Sequence, residues 1–158
     1  MTSLTRKSAI ENAFTTWSNH SNLRFIQLET PNNADLIIKW EKGNHGDEYA
    51  FDGNNGILAH AFYPPPAGGM FAGHLHFDDD ENWTDDGTGI DLETVALHEI
   101  GHLLGIMHSD DPSAIMYETY TIMNRLLSSD DITSDGSNDH FIMTFIDKDI
   151  LSEKITIK

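Results

Sequence analysis

With 158 residues, no cysteine and a formal charge of −17, the chain has enough length for one hydrophobic core but no thiol for a disulfide or a thiolate metal site. Twenty-six acidic residues against nine basic ones argue against nucleic acid and anionic membrane surfaces as partners, because both are gripped by basic patches. No run is long and apolar enough to span a bilayer, and no leader-like segment opens the chain, so a secretion signal or inhibitory pro-segment would lie outside it.

Taken in chain order, Ile10, Ala13, Phe14 and Trp17 recur at helical spacing after a candidate cap at Thr5, which predicts a first helix. Leu23 to Leu28 and Asp35 to Trp40 read as strands, as do Gly56 to Phe62 and His74 to Asp78. The loop from Tyr63 to Phe71 holds three consecutive prolines, which stiffen it into an extended path. Asp86-Gly87-Thr88-Gly89 is breaker-rich, and Asp91 after it is the candidate N-cap of a second helix. On that helix Leu92, Ala96, Ile100 and Leu103 form an apolar stripe about half a turn from His98 and His102. There is no internal repeat and no low-complexity tract.

The chemistry concentrates in residues 98 to 108, which read H-E-I-G-H-L-L-G-I-M-H. On a helix His98 and His102 are one turn apart, so their imidazoles can converge on one ion at roughly 2.0–2.1 Å. Glu99 lies beside that point and can take a proton from water without itself being a ligand. Gly105 enters the left-handed conformation cheaply, ends the helix and turns the chain so that His108 supplies a third ligand. Three protein ligands leave a fourth position open, which is the catalytic arrangement of zinc; four would close it. A bare HExxH is weak, because two histidines on a surface helix match it by chance. Gly105 and His108 at their offsets are what make the motif specific.

With these residues the chain resembles the metzincin metalloproteases, and the segment Ser109 to Tyr117 looks like the one carrying their Met-turn, with Met116 as the methionine beneath the metal. Two further stretches, from His45 through Phe62 and from Gly73 through Trp83, narrow the resemblance to the matrixins, and the proline loop is most similar to bacterial secreted ones. That resemblance implies an α/β (α+β, zincin-like) fold: a twisted mixed sheet, an active-site helix and a small C-terminal subdomain after the third zinc histidine. It implies a second, structural zinc on His45, Asp47, His60 and His76, closed by four ligands and acting as a loop staple. It also implies calcium on the carboxylates of Asp52, Asp78 and Glu81 and the carbonyls of Gly53, Asn55 and Ile57, since hard oxygens suit that ion. His74 stands where matrixins commonly carry an acidic calcium ligand, and it alternates onto the same side as His76. His76 is the preferred zinc ligand because its offset to Asp78 and Glu81 fits the family pattern.

For activity, the resemblance implies peptide hydrolysis with Glu99 as general base and the oxyanion stabilised chiefly by zinc. Thr94, Val95 and Tyr120 would line the main specificity pocket, and the strand that includes Leu58 and Ala59 would pair with an extended substrate as an added strand. Glu118 replaces the proline usual at its position. Expected partners are protein or peptide substrates, the expected state is a monomer, and the expected location is extracellular.

The chain ends depart from the family. The interior strand that precedes the first helix in matrixins has no match here, and its loss would leave backbone groups unpaired at about 1–3 kcal/mol each where buried. Leu127 to Ile132 resembles the start of the last matrixin helix, but Thr133-Ser134-Asp135-Gly136-Ser137-Asn138 cannot continue one well. The expected division is therefore a catalytic domain over residues 1–132 and an unassigned tail over 133–158. Phe141 to Ile146 reads as an apolar strand that either fills the vacated place or begins another unit. Two function classes remain: an active zinc endopeptidase, or a catalytically silent metal-binding remnant.

Overall fold

The computed structural model describes residues 1–30, 33–121, 123–133 and 141–147. It has mixed α/β architecture: helix α1 (Ser3–His20) and the active-site helix α2 (Leu92–Leu103) lie against a five-stranded sheet. The strands are β1 (Leu23–Gln27), β2 (Leu36–Glu41), β3 (Ala59–Ala61), β4 (His74–Asp78) and β7 (Phe141–Asp147), in the order β1-β7-β2-β4-β3. A two-stranded ribbon, β5 (Trp83–Thr84) with β6 (Ile90–Asp91), leads into α2, and a short helix α3 (Ser129–Thr133) follows the site.

The expected first helix forms, but its cap is Thr2 and not Thr5: the Thr2 hydroxyl accepts the Thr5 N–H at 3.2 Å. Two threonines three residues apart both satisfy a capping rule, and the helix takes the one that gains an extra turn. Ile10, Ala13, Phe14 and Trp17 are buried as the periodicity predicts, and each large apolar side chain so placed contributes about 1.5–3 kcal/mol. Trp17 also donates its indole N–H to the Leu97 carbonyl at 3.0 Å, fixing α1 against α2.

Period-two alternation explains β2, in which Leu36, Ile38 and Trp40 are buried and the residues between them are half-exposed. Leu75 and Phe77 on β4 continue that core layer. β3 lies at the sheet edge, antiparallel to β4 with His60 opposite His76. Of the expected Gly56 to Phe62 strand, Ala59–Ala61 forms the strand itself, and Leu58 and Phe62 on either side add backbone bonds to Asp78 and His74.

Phe141 to Ile146 joins this sheet instead of starting another unit. β7 runs parallel to β1, with Leu23 opposite Phe141, and parallel to β2, with Leu36 opposite Phe145. That is an interior position. The Phe145 ring stacks on Phe14 with centroids 4.2 Å apart, and Thr144 donates from its N–H and its hydroxyl to one Asp35 carboxylate oxygen at 2.8 and 2.7 Å. The remainder of Thr133-Ser134-Asp135-Gly136-Ser137-Asn138 beyond Thr133 lies outside the described residues.

Candidate active site

Helix α2 starts where Asp91 accepts the Thr94 N–H at 2.9 Å and the Thr94 hydroxyl at 2.7 Å. Arg125 adds a charged contact to the same carboxylate and another to Glu93. The helix ends in a Schellman turn: Ile106 N–H reaches the Gly101 carbonyl at 2.9 Å and Gly105 N–H the His102 carbonyl at 3.0 Å. Gly105 has φ +91°, the left-handed value that the sequence required of it.

Between these two ends the three histidines converge. One ring nitrogen from each of His98, His102 and His108 lies within 4.8 Å of the others, and the Nε2 atoms of His102 and His108 are 3.1 Å apart. Their other nitrogens are occupied: His98 Nδ1 faces the Ile115 carbonyl and His102 Nδ1 the Ile106 carbonyl, both at 2.8 Å. A carbonyl accepts only, so each Nδ1 carries its proton and each Nε2 turns a lone pair to the shared point. Burial lowers the pKa of His98 and takes His102 down to about 4, so the rings stay in the neutral, ligating form. Tetrahedral bonds of about 2.05 Å require ligand atoms roughly 3.3 Å apart, so this donor set fits zinc.

Glu99 is buried next to His98 on the helix, and burial alone pushes its carboxyl up to about 8. Its Oε2 has no hydrogen-bond partner, which leaves a buried acceptor facing the site. Met116 is fully buried below the helix. A Cβ on Gly101 would overlap its sulfur, so the absence of a side chain there lets the turn close under the histidines.

The second group, His45, Asp47, His60 and His76, also gathers its ligand atoms within 4.8 Å. One Asp47 oxygen lies 2.9 Å from His45 Nε2, 3.0 Å from His60 Nε2 and 2.9 Å from His76 Nδ1. Burial would raise the Asp47 pKa, but hydrogen bonds from the Tyr49 N–H and from His60 and His76 bring it down to about 2. Burial takes His76 down to about 3. Three imidazoles around one carboxylate fit a closed zinc site. His74 stands outside this group, its Nδ1 3.4 Å from the far nitrogen of His76.

For the calcium set, Asp52 accepts the Ile57 N–H at 3.0 Å across the Gly53 to Asn55 loop. Asp78 and Glu81 are buried, and Asp78 Oδ2 and both Glu81 carboxylate oxygens have no hydrogen-bond partner. Buried anionic oxygens without a donor are costly unless a cation meets them, and an oxygen-only donor set fits calcium. Among the described residues, these carboxylates do not form a third group as close as the two histidine clusters.

A cleft of about 1020 Å³ runs above the three histidines. Leu58 and Ala59 on the β3 side and Thr94, Val95 and Tyr120 on the other all line it, with Glu99 in its floor. The Tyr120 hydroxyl accepts the Asp91 N–H at 3.1 Å, and Thr94 both serves the cap and accepts the Asn124 N–H at 2.9 Å. Two contributors were missed in the sequence. Asp131 accepts the N–H groups of Ile115 and Met116 at 3.0 Å and of Ser128 at 2.7 Å, and so holds the segment whose carbonyl orients His98. Tyr63, at the start of the proline loop, brings its hydroxyl to 3.3 Å from His102 Nδ1. The acidic pair in Ser129-Asp130-Asp131 was the available signal for the first; nothing local marks the second.

Comparison with known proteins agrees with this geometry. The family profile described as Matrixin matches residues 1–135. The chain is 66% identical to karilysin of Tannerella forsythia over 131 residues, covering 83% of this chain and 28% of that protein. It is 47% identical to matrix metalloproteinase-20 of Homo sapiens over 124 residues, covering 78% and 25%. With macrophage metalloelastase of Oryctolagus cuniculus it shares 46% over 127 residues, covering 78% and 26%. The chain thus spans about a quarter of the length of these relatives. No helix among the described residues is long and apolar enough to cross a membrane.

Proposed function

The chain belongs to the matrixin family, and from that membership we propose that it is a zinc-dependent endopeptidase, with residues 1–132 together with strand β7 as its catalytic unit. The observation that carries the reading is the convergence of His98, His102 and His108, with the outer nitrogens of His98 and His102 held by backbone carbonyls, beside a buried Glu99 in the floor of a cleft.

His98, His102 and His108 would hold the catalytic zinc, which when bound supplies Lewis acidity that polarises the scissile carbonyl and acidifies water. Glu99 takes the proton from the attacking water and hands it to the leaving amine. Its carboxyl is raised to about 8 by burial, and a positive charge at the histidines brings it back toward the range where it gives and takes protons near neutral pH. An extended substrate lies along the β3 edge, where Leu58 and Ala59 offer main-chain pairing, and an apolar side chain enters beside Thr94, Val95 and Tyr120. His45, Asp47, His60 and His76 would hold a second, structural zinc. Asp52, Gly53, Asn55, Ile57, Asp78 and Glu81 would hold calcium, which answers the orphaned carboxylate oxygens of Asp78 and Glu81. Protein substrates and an extracellular location follow from the relatives and belong to the same proposal.

The test is cleavage of a quenched peptide by purified protein, with and without chelator, alongside Glu99→Ala. Chelation should abolish turnover, and Glu99→Ala should lower it on the order of 10²–10⁴-fold. A folded protein carrying two zinc ions but cleaving nothing would instead identify a silent metal-binding remnant.

A further inference from the structure

The cleft walls are electrically lopsided. Among the described residues, Glu99 and Glu118 are the only acidic ones that line it, and no lysine or arginine does. Glu99 is buried in the floor, whereas Glu118 is exposed on the rim, on the segment between Tyr117 and Thr121 that faces the β3 edge. Among the described residues Glu118 has no ion-pair partner. The nearest arginine in sequence, Arg125, is tied to Asp91, Glu93 and the Asp85 carbonyl. With a formal charge of −17 over the chain, little elsewhere would cancel the potential that this carboxylate places over the cleft.

We propose that Glu118 makes this cleft select substrates with a basic side chain beyond the first residue after the cut. The inference rests on the endopeptidase reading and specifies its substrate class. Side chains of an extended peptide alternate between two directions. If the first residue after the cut enters the apolar space beside Thr94 and Val95, its successors meet the rim where Glu118 stands. Tyr117, Thr119 and Thr121 next to it are neutral, so they neither reinforce nor oppose its charge. A proline there, the residue usual at this position in the family, would carry no charge. This rim charge is therefore a property of the present chain.

The experiment uses quenched peptides that differ only at the second and third positions after the cut, carrying lysine, a neutral residue or glutamate. For each enzyme the ratio of kcat/KM for the lysine and glutamate peptides is read, so that an overall change in activity cancels. An exposed pair of opposite charges should favour lysine over the neutral residue by about two- to fivefold. Glutamate should be disfavoured further. The ratio should fall toward one in Glu118→Gln, invert in Glu118→Lys, and shrink at 1 M salt, where charges are screened beyond roughly 3 Å. A ratio near one in the unaltered protein, or the same ratio in both variants, overturns the inference and leaves the protease reading standing. If no peptide is cleaved, the protease reading fails. Binding of uncleavable reduced-bond versions of the same peptides, followed by fluorescence anisotropy, then decides the inference: equal affinities for the lysine and glutamate forms overturn it.

Discussion

Replacing Phe145 by alanine tests whether the C-terminal strand belongs to the catalytic sheet. The side chain is 4% exposed, stacks on Phe14 of α1, and lies on a strand paired on both sides. Truncating a ring so placed costs about 3–5 kcal/mol in lost transfer energy and cavity. Because a domain of this kind is stable by about 5–15 kcal/mol in total, about a fifth or more of the stability should disappear. At a urea slope of about 2 kcal/mol/M the transition midpoint should fall by roughly 2 M. Intrinsic fluorescence reports it well, since Trp17 is buried one turn along α1 from Phe14. Thr144→Val serves as the graded comparison. It removes hydroxyl bonds of 2.7 Å to Asp35 and 3.2 Å to the Asn33 carbonyl, while the Thr144 N–H bond to Asp35 persists. These groups are exposed, so about 1 kcal/mol is expected. A Phe145→Ala midpoint within about 0.5 M of the unaltered protein would mean that the strand does not occupy the slot between β1 and β2 in solution.

Asp91→Asn keeps a cap but removes the charge that Arg125 meets, and should cost about 2–3 kcal/mol, limited by the partial exposure of Arg125. Burial would raise the Asp91 pKa, but hydrogen bonds from Arg125 and Thr94 outweigh it and hold it low. A carboxyl lowered on folding stabilises above its unfolded pKa and loses that contribution as pH falls through the lowered value. Thermal midpoints from pH 2 to 6 should therefore drop on the acid side in the parent and less steeply in Asp91→Asn; parallel curves would refute the assignment. Asp131→Asn replaces one of two oxygens that together accept three backbone N–H bonds, at a cost of about 1.5–3 kcal/mol. Because the Ile115 carbonyl orients His98, zinc should also pass faster to a chromophoric chelator, and an unchanged rate would separate the Met116 turn from the metal site.

What could be read from the sequence was what closes within a few residues. Asp91 caps the helix at Thr94 three residues on, and Gly105 takes its left-handed turn immediately after the helix. Spacing encodes such contacts directly, so the HExxH run, its terminating glycine and His108 were all legible. The choice between Thr2 and Thr5 as cap was not, because both satisfy the same local rule and the length of the packed helix decides between them. β7 was legible as a strand but not as a neighbour of β1 and β2, because its register is set by pairs more than a hundred residues apart. No pattern within one segment encodes a partner that distant.

The two histidine clusters differ in the same respect. At the cluster of His98, His102 and His108 the carbonyls of Ile106 and Ile115 settle which nitrogen of His102 and of His98 is protonated, so the backbone orients these rings before any ion arrives. At the other cluster His60 and His76 face each other across an antiparallel pair, Asp47 arrives from a loop, and His60 Nδ1 is buried with no partner at all. Of these rings His45 has a backbone carbonyl on its outer nitrogen, that of Gly43 at 2.8 Å, whereas His60 and His76 are drawn in by Asp47, and burial depresses their pKa, disfavouring the charge that would pair them with it. His60 and His76, without a backbone carbonyl on their outer nitrogens, are held less firmly than rings locked by their own helix and turn. The loop carrying His45 and Asp47 should therefore depend for its order on the zinc proposed there, whereas α2 keeps its geometry through its cap, its Schellman turn and the Trp17 bond to Leu97.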